Sequence, residues 1–514
     1  KVRQNIERMR SGISLLLSDS EALEAYRLAI KAIWLSQTSD TLDNLHRISD
    51  FEWRPFQFAF QLINLEGILL RDSEDRGLVD LAWFPTGGGK TEAYLGLIAL
   101  VSFYRRINPQ TAIIEQRSPS IHTIMRYTLR LLTADQAGRL VRAIGAMNQV
   151  ALSDGISDGF SPFRVGMWVG AKSSPNRLFK DSNQEYKSLP SANDLILDAK
   201  ADRNTPEASV SQFQQCPWCG DSSIGDQSRY SIIARPWSKG RPVLHASCRS
   251  PDCPFNEEMP FTCVDDDIYL NPPTVLLATA DKFVQIAHNH SAKSVKYSPN
   301  FNSVNGAQYT IRRMMGFEDQ STSPGPPDLV IQDELHLLTG PLGTVAGLFE
   351  TALDLSWKEA CNGHRVKYIA ATATIRGAER DVGLMYGRDL NVFPPPLLSA
   401  NDNFFAEERP TDKVAGRLHL GLLAPSGKGI TSADQTVASM LQCIGSLRKQ
   451  GGNRQENLDP YWTIVMYYNS LRELGGGQSS LTQNIPRWMS SYSRDNDLRE
   501  IRLNRELTSR RTSK

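Results

Sequence analysis

The sequence predicts an α/β fold, a parallel sheet with helices on both faces, and two observations carry the prediction. From about residue 78 to 375, short apolar runs alternate with stretches whose apolar residues recur at helical spacing. That rhythm fits parallel strands joined by helical crossovers. Two of the runs also end in groups suited to phosphate and metal, "FPTGGGKT" (84–91) and "QDELH" (332–336). In open parallel sheets such groups gather at the carboxyl ends of the strands.

Residues 1–50 read as an N-terminal helical region, since "NIERMRSGISLLL" and "EALEAYRLAIKAIWLS" place apolar residues on one helical face. Residues 51–395 read as the first α/β domain. Its strand candidates are "LVDLAWF", "TAII", "FRVGMWVG", "TVLLATA", "DLVIQD" and "VKYIAATAT". The segment from about 172 to 265 breaks the alternation: it is polar and holds five of the seven cysteines, so it reads as an insertion. The proline-rich "VFPPPLLSANDNFFAEERP" then suits a linker. In 396–514, "RLHLGLLAP" and "YWTIVMYYNS" read as strands flanking the helix-like "SADQTVASMLQCIGSLRK", an incomplete second α/β unit.

Composition narrows the class. The chain is 40% apolar and 22% charged, ordinary for a globular protein. No run approaches the ~20 apolar residues of a membrane span, and the opening "KVRQNIERMRSGISLLL" does not read as a signal peptide. With 57 basic and 56 acidic residues, a nucleic-acid partner has to meet a local basic groove. The clustered cysteines suit a metal site in a reducing cytosol better than a disulfide framework.

The loop "PTGGGKT" has the makings of a phosphate cradle. Gly89, Lys90 and Thr91 match the general pattern, with Phe84 standing where its first glycine is expected. Around Thr86, Gly87, Gly88 and Gly89, successive N–H groups can turn inward as an anion nest, and the following helix adds its dipole. Lys90 would reach the β- and γ-phosphates of ATP, and the Thr91 hydroxyl would ligate Mg2+. The plain alternative is a glycine-rich turn followed by an incidental Lys-Thr. Against it stands "PDLVIQDELHLL". There a buried run delivers Asp333, to hold Mg2+, and Glu334, to polarise the attacking water, with His336 close behind.

"PTGGGKT" followed by "DELH" resembles motifs I and II of superfamily 2 helicases of the DExH type, and further motifs follow in the family's order. "WRPFQ", with Gln57, is similar to the adenine-reading motif. "RYTLRLLTADQ", from Arg126 to Gln136, is similar to motif Ia, and "LLATADKF" to motif Ib. "TAT", Thr372 to Thr374, is similar to motif III and "VMYYNSLREL" to motif IV. The resemblance implies two RecA-like domains of the phosphate-loop class. It implies backbone contacts to nucleic acid from Arg126, Thr128, Arg130 and Lys282, and coupling of hydrolysis to strand binding through Thr372 and Thr374. One departure stands out: no Gln-x-x-Gly-Arg-x-x-Arg motif VI occurs, so the expectation is that this chain is part of a longer one.

Longer phrases narrow the resemblance. "RPFQFAFQLINL", "MRYTLRLLTADQ", "VGMWVGAKSSPN", "QDELHLLTGPLGT" and "ELTSR" look like the helicase subunit of the DISARM phage-defence system. That implies a bacterial, cytoplasmic ATPase that grips DNA, single-stranded or with a single-stranded 5′ end. It also implies a DrmB-like partner subunit containing a domain of unknown function. Two further readings stay open, a nucleotide-gated DNA clamp without productive unwinding and an RNA helicase.

The insertion carries its own pattern. "CPWCG" gives Cys216-x2-Cys219 and "CRSPDCPF" gives Cys248-x4-Cys253, with 28 residues between the pairs. Four thiolates at tight turns suit a closed structural Zn2+ site of the ribbon kind. His245 and Cys263 are alternative ligands, and a set of reduced core thiols is the plain reading.

Overall fold

A computed structural model describes residues 1–38, 52–84, 88–117, 119–127, 134–180, 189–203, 208–283, 314–315, 325–338, 340–361, 363–372, 377–395, 402–407, 418–423, 429–449, 458–493, 497–501 and 506. The chain divides into two compact units, Lys1–Glu408 and Arg409–Lys514.

The strands of the first unit are β1 (Leu78–Trp83), β2 (Thr123–Tyr127), β3 (Val165–Trp168), β4 (Ser231–Ala234), β5 (Pro242–His245), β6 (Phe261–Thr262), β7 (Val275–Thr279), β8 (Leu329–Gln332), β9 (Lys367–Thr372), β10 (Asp389–Phe393) and the short antiparallel pair β11 (Asp402–Asn403) and β12 (Ala406–Glu407). Eight of them form one sheet, in the order β10-β1-β9-β8-β2-β7-β3-β6, with every pairing parallel. Every residue of β2, β3, β7, β8 and β9 is buried, as expected of a parallel sheet covered on both faces. The pleat divides the core in two. Ile331, Ile369 and Ala371 point into one cluster, while Val330, Tyr368 and Ala370 point into the other.

The helices are α1 (Val2–Ser18), α2 (Ser20–Thr38), α3 (Pro55–Leu69), α4 (Lys90–Ile107), α5 (Pro109–Arg117), α6 (Ala134–Ser153), α7 (Ala192–Lys200), α8 (Asp265–Leu270), α9 (Gly340–Ala360) and α10 (Ala378–Tyr386). The expected N-terminal helices are present, α1 packing on α3 and α2 on α4 and α6. A charged anchor fixes α1 to the sheet. Arg8 donates to both oxygens of Asp80 (2.6 and 2.8 Å), which also accepts from Lys367 Nζ (2.5 Å) and Asn391 Nδ2 (2.7 Å). Burial opposes the charge on Asp80, but Lys367 and Arg8 prevail and hold its carboxyl well below the usual range. A depressed folded pKa contributes stability above the unfolded value, and that contribution is lost as pH falls through the folded one. Asp80→Asn, which leaves the buried Lys367 without its carboxylate and Arg8 with Asp75 alone, is therefore expected to cost about 3–5 kcal/mol at neutral pH. Denaturant melts should show that gap to the wild type shrinking in strong acid.

Three local readings differ from the structure. "TAII" lies in α5, not in a strand: Asn108 accepts from the N–H groups of Gln110 and Thr111 (3.1 and 3.4 Å), and Pro109 opens the helix, the usual Asn–Pro start. The strand next in line is instead β2, whose last residues, Arg126 and Tyr127, open the segment similar to motif Ia. In the second unit the helix-like segment is helical as expected (Gly429–Lys449), and helices Leu471–Thr482 and Asn484–Tyr492 follow. Neither predicted strand forms among its described residues. An extended run becomes a strand only beside a partner that takes its N–H and C=O groups, and Leu418, Leu420, Val465 and Tyr467 are all exposed. A small core of Val437, Ala438, Leu441, Ile485 and Met489 holds these helices together.

The cysteine-bearing insertion is seated between β3 and β7. It contains α7 and the antiparallel hairpin β4–β5, and returns to the main sheet as the edge strand β6 beside β3.

Candidate nucleotide site and cysteine cluster

The sheet order makes β1, β9 and β8 neighbours, with Trp83 opposite Thr372 and Gln332 opposite Ala370. Three segments distant in sequence therefore meet at the carboxyl end of the sheet: the run that leaves β1 after Trp83, Thr372 at the end of β9, and Asp333 just after β8. Lys90 and Asp333, 243 residues apart in sequence (333 − 90), meet there.

Phe84 closes β1 and stacks on Phe56, ring centroids 3.9 Å apart. That position is a strand-end anchor, which accounts for the absence of glycine. Pro85, Thr86 and Gly87 lie outside the described residues. Gly89 has φ +86° and caps α4, so that Lys90 and Thr91 open the helix. A Cβ at Gly89 would lie 2.6 Å from Gln57 Nε2, a second reason for glycine there. Gln57 is buried; its Nε2 donates to Gly89 O (2.7 Å) and its Oε1 accepts from the Arg54 N–H (2.9 Å). Arg54 Nη1 in turn donates to Gly88 O (2.8 Å). The "WRPFQ" segment thus grips the glycine-rich turn before α4 through the carbonyls of Gly88 and Gly89.

Lys90 Nζ donates to Phe84 O at 2.7 Å. Burial pushes its ammonium down from the ordinary lysine value, while Glu334 and Asp333 nearby support the charge. Asp333 is buried, its Oδ1 accepting from the Glu334 N–H (2.9 Å) and its Oδ2 from the Tyr94 hydroxyl (3.0 Å). Tyr94 OH also lies 3.4 Å from Thr91 Oγ1. Burial, and after it Asp333, pushes the Tyr94 phenol well above 10. Glu334 takes a left-handed backbone, φ +49°, uncommon for a non-glycine residue and a form of local strain found at functional positions. His336 Nδ1 sits 3.3 Å from Glu334 Oε2 and 3.1 Å from Thr372 Oγ1. It therefore links the acid segment to the end of β9. Thr374 lies outside the described residues.

Sequence reasoning passed over Arg54 and Tyr94. For Tyr94 a signal was present: it stands four residues after Lys90, one helical turn on and over the same face.

The residues expected to touch nucleic acid fall differently. Arg126 is 1% exposed, pairs with Glu350 and stacks over Phe283, its guanidinium carbon 4.6 Å from the ring centre. Lys282 is 2% exposed and donates to Val169 O (2.9 Å) and to Asp265 (2.8 Å). Both cations lie inside the fold with their charge already met, because β2 and the turn after β7 are central to the sheet. In this arrangement neither side chain presents its charge to a phosphate backbone. Thr128 and Arg130 lie outside the described residues.

The cysteine cluster is assembled as the spacing suggested. The Sγ atoms of Cys216, Cys219, Cys248 and Cys253 all lie within 4.8 Å of one another, with Cys216–Cys253 at 3.7 Å and Cys219–Cys248 at 3.4 Å. Tetrahedral Zn–S bonds of ~2.3 Å need sulfur–sulfur separations near ~3.8 Å, so the donor set fits Zn2+. Two tight turns shape it: Gly220, at φ +78°, donates its N–H to Cys216 O (2.9 Å), and the Cys248 N–H reaches Phe255 O (2.8 Å). A hydrogen bond with Cys253 lowers the Cys216 thiol to about 6 and, with burial, raises that of Cys253. His245 instead meets Glu257 O (2.9 Å), and Cys263 lies near Val210 O (3.5 Å). Neither joins the four. The cluster is fused to the core: Trp218 packs edge-on against Phe255, and a Cβ at Gly145 of α6 would strike the Phe255 ring at 2.4 Å.

Among the described residues no helix is long and apolar enough to cross a membrane. No family model matches the chain. It is 35% identical to the DISARM protein DrmA of Bacillus paralicheniformis across 98% of its own length and 46% of that protein's. The chain thus spans about half the length of the curated relative it matches. The likeness to that protein runs along nearly the whole chain, which is built on an eight-stranded parallel sheet with an insertion whose four cysteines fit a zinc ribbon.

Proposed function

We propose that this chain is the ATP-hydrolysing part of a DNA helicase or translocase that serves a bacterial anti-phage complex. The observation that carries the reading is the meeting of Lys90, Thr91, Asp333 and Glu334 at one sheet edge although 243 residues separate the two halves. Lys90 would leave the Phe84 carbonyl for the β- and γ-phosphates, and Gln57 would set the loop against the base. Thr91 and Asp333 would hold Mg2+, whose charge would draw electron density from the transferred phosphoryl group. Glu334 would orient and deprotonate the attacking water. His336, hydrogen-bonded to Thr372 and 3.3 Å from Glu334 Oε2, would pass a change at the acid to β9 and onward to a bound strand. Zn2+ on the four cysteines would be structural, since four thiolates leave no open position.

DNA with a single-stranded 5′ end is proposed on the resemblance of the motifs, and a partner subunit of the same defence system on the likeness to a DISARM protein. A second reading is a clamp that senses nucleotide without unwinding, favoured by an insertion that is itself built into the sheet through β6. A forked duplex with ATP separates them. The helicase reading expects strand release that stops when ATP is omitted; tight, nucleotide-dependent binding with the duplex intact supports the clamp. Competition between DNA and RNA of one sequence addresses the RNA-helicase alternative.

A further inference from the structure

We propose that Tyr94 is a positioning residue for the metal-holding carboxylate, tying Asp333 to Thr91 across the phosphate loop. The proposal rests on the nucleotide-site reading and goes beyond it, since none of the helicase motifs includes this tyrosine. Tyr94 is 1% exposed. Its hydroxyl donates to Asp333 Oδ2 at 3.0 Å and lies 3.4 Å from Thr91 Oγ1. It therefore sits between the two side chains that the reading gives to one Mg2+. Tyr127, at the end of β2, is also buried, and burial first, then Tyr94 and Asp333, pushes its phenol well above the ordinary value.

The geometry acts on the direction of the carboxylate. A carboxylate oxygen has two lone pairs. With Oδ1 held by the Glu334 N–H (2.9 Å) and Oδ2 by the Tyr94 hydroxyl, rotation about the terminal bond is blocked. The remaining lone pairs then point in fixed directions, available to water in the metal's shell. A buried tyrosine always seeks a partner for its hydroxyl, so a partner alone means little. Here the partner is the acid of motif II, and the phenol spans motif I to reach it. Phenylalanine keeps the packing and removes only the clamp. Asp333 would then adopt several orientations in the absence of metal, and Mg2+ would have to order it.

The test uses the full chain and a fluorescent ATP analogue, with binding followed in EDTA and then against rising Mg2+. For Tyr94→Phe the expected result is unchanged affinity in EDTA and a half-saturating Mg2+ concentration raised about tenfold, the scale of one hydrogen bond to a charged acceptor. An unchanged Mg2+ dependence overturns the proposal. Loss of affinity already in EDTA also overturns it, because the tyrosine would then be a prop for the loop. Failure of the wild type to bind the analogue under any condition removes the nucleotide-site reading itself, a result distinct from either of these.

Discussion

Glu334→Gln is expected to slow ATP hydrolysis by about a thousandfold, within the range general-base catalysis supplies, while ATP affinity is kept or improved. Glutamine has the same shape and the same cost at φ +49°, so the backbone turn after β8 is unaffected. It also keeps a polar group facing His336, whose Nδ1 lies 3.3 Å from Glu334 Oε2 in the native protein. What it loses is the ability to take a proton from water. It also removes a negative charge that lies near Lys90, which favours an anionic ligand at that site. Single-turnover hydrolysis beside equilibrium binding separates the two effects. Equal hydrolysis by variant and wild type would assign the proton transfer elsewhere.

The second large effect concerns the cysteines. Purified protein is expected to contain one zinc per chain, and Cys253→Ser to contain none. Structural zinc contributes on the order of 10 kcal/mol to small zinc modules. Here Trp218 and Phe255 pack into the main core and against α6, so part of the insertion's order comes from burial. The loss on removing a ligand should therefore be smaller, about 3–5 kcal/mol, and should spread to α6 because the Phe255 ring rests on Gly145. Metal analysis with denaturant unfolding reads both quantities. Zinc must displace protons from thiols, of which burial pushes Cys248 up to about 11, so affinity for the metal should rise with pH. A metal-free wild type as stable as the native preparation would contradict the assignment.

Much of this architecture was legible in the residues because it depends on local signals. Continuous apolar runs such as "TVLLATA" and "DLVIQD" contain the fully buried parallel strands β7 and β8, and the Cys-x2-Cys and Cys-x4-Cys turns bring their sulfurs together. What escaped depends on context. "TAII" is apolar enough for a strand, but the Asn108–Pro109 start commits it to helix. Arg126 and Lys282 sit within matched motifs, yet their charge is met internally by Glu350 and Asp265, a pairing no spacing reveals. Tyr94 reads as one more apolar position on α4 until β8 brings Asp333 to its hydroxyl. The strands expected after residue 417 lack a neighbouring strand among the described residues, and strand pairing is not a property of one segment.

The most direct test of the account is the rate of ATP hydrolysis by the full chain with and without single-stranded DNA bearing a free 5′ end. A site linked through His336 and Thr372 to a bound strand predicts a rate that rises on adding DNA and falls to background in Glu334→Gln. A rate that is the same with and without any nucleic acid would contradict it.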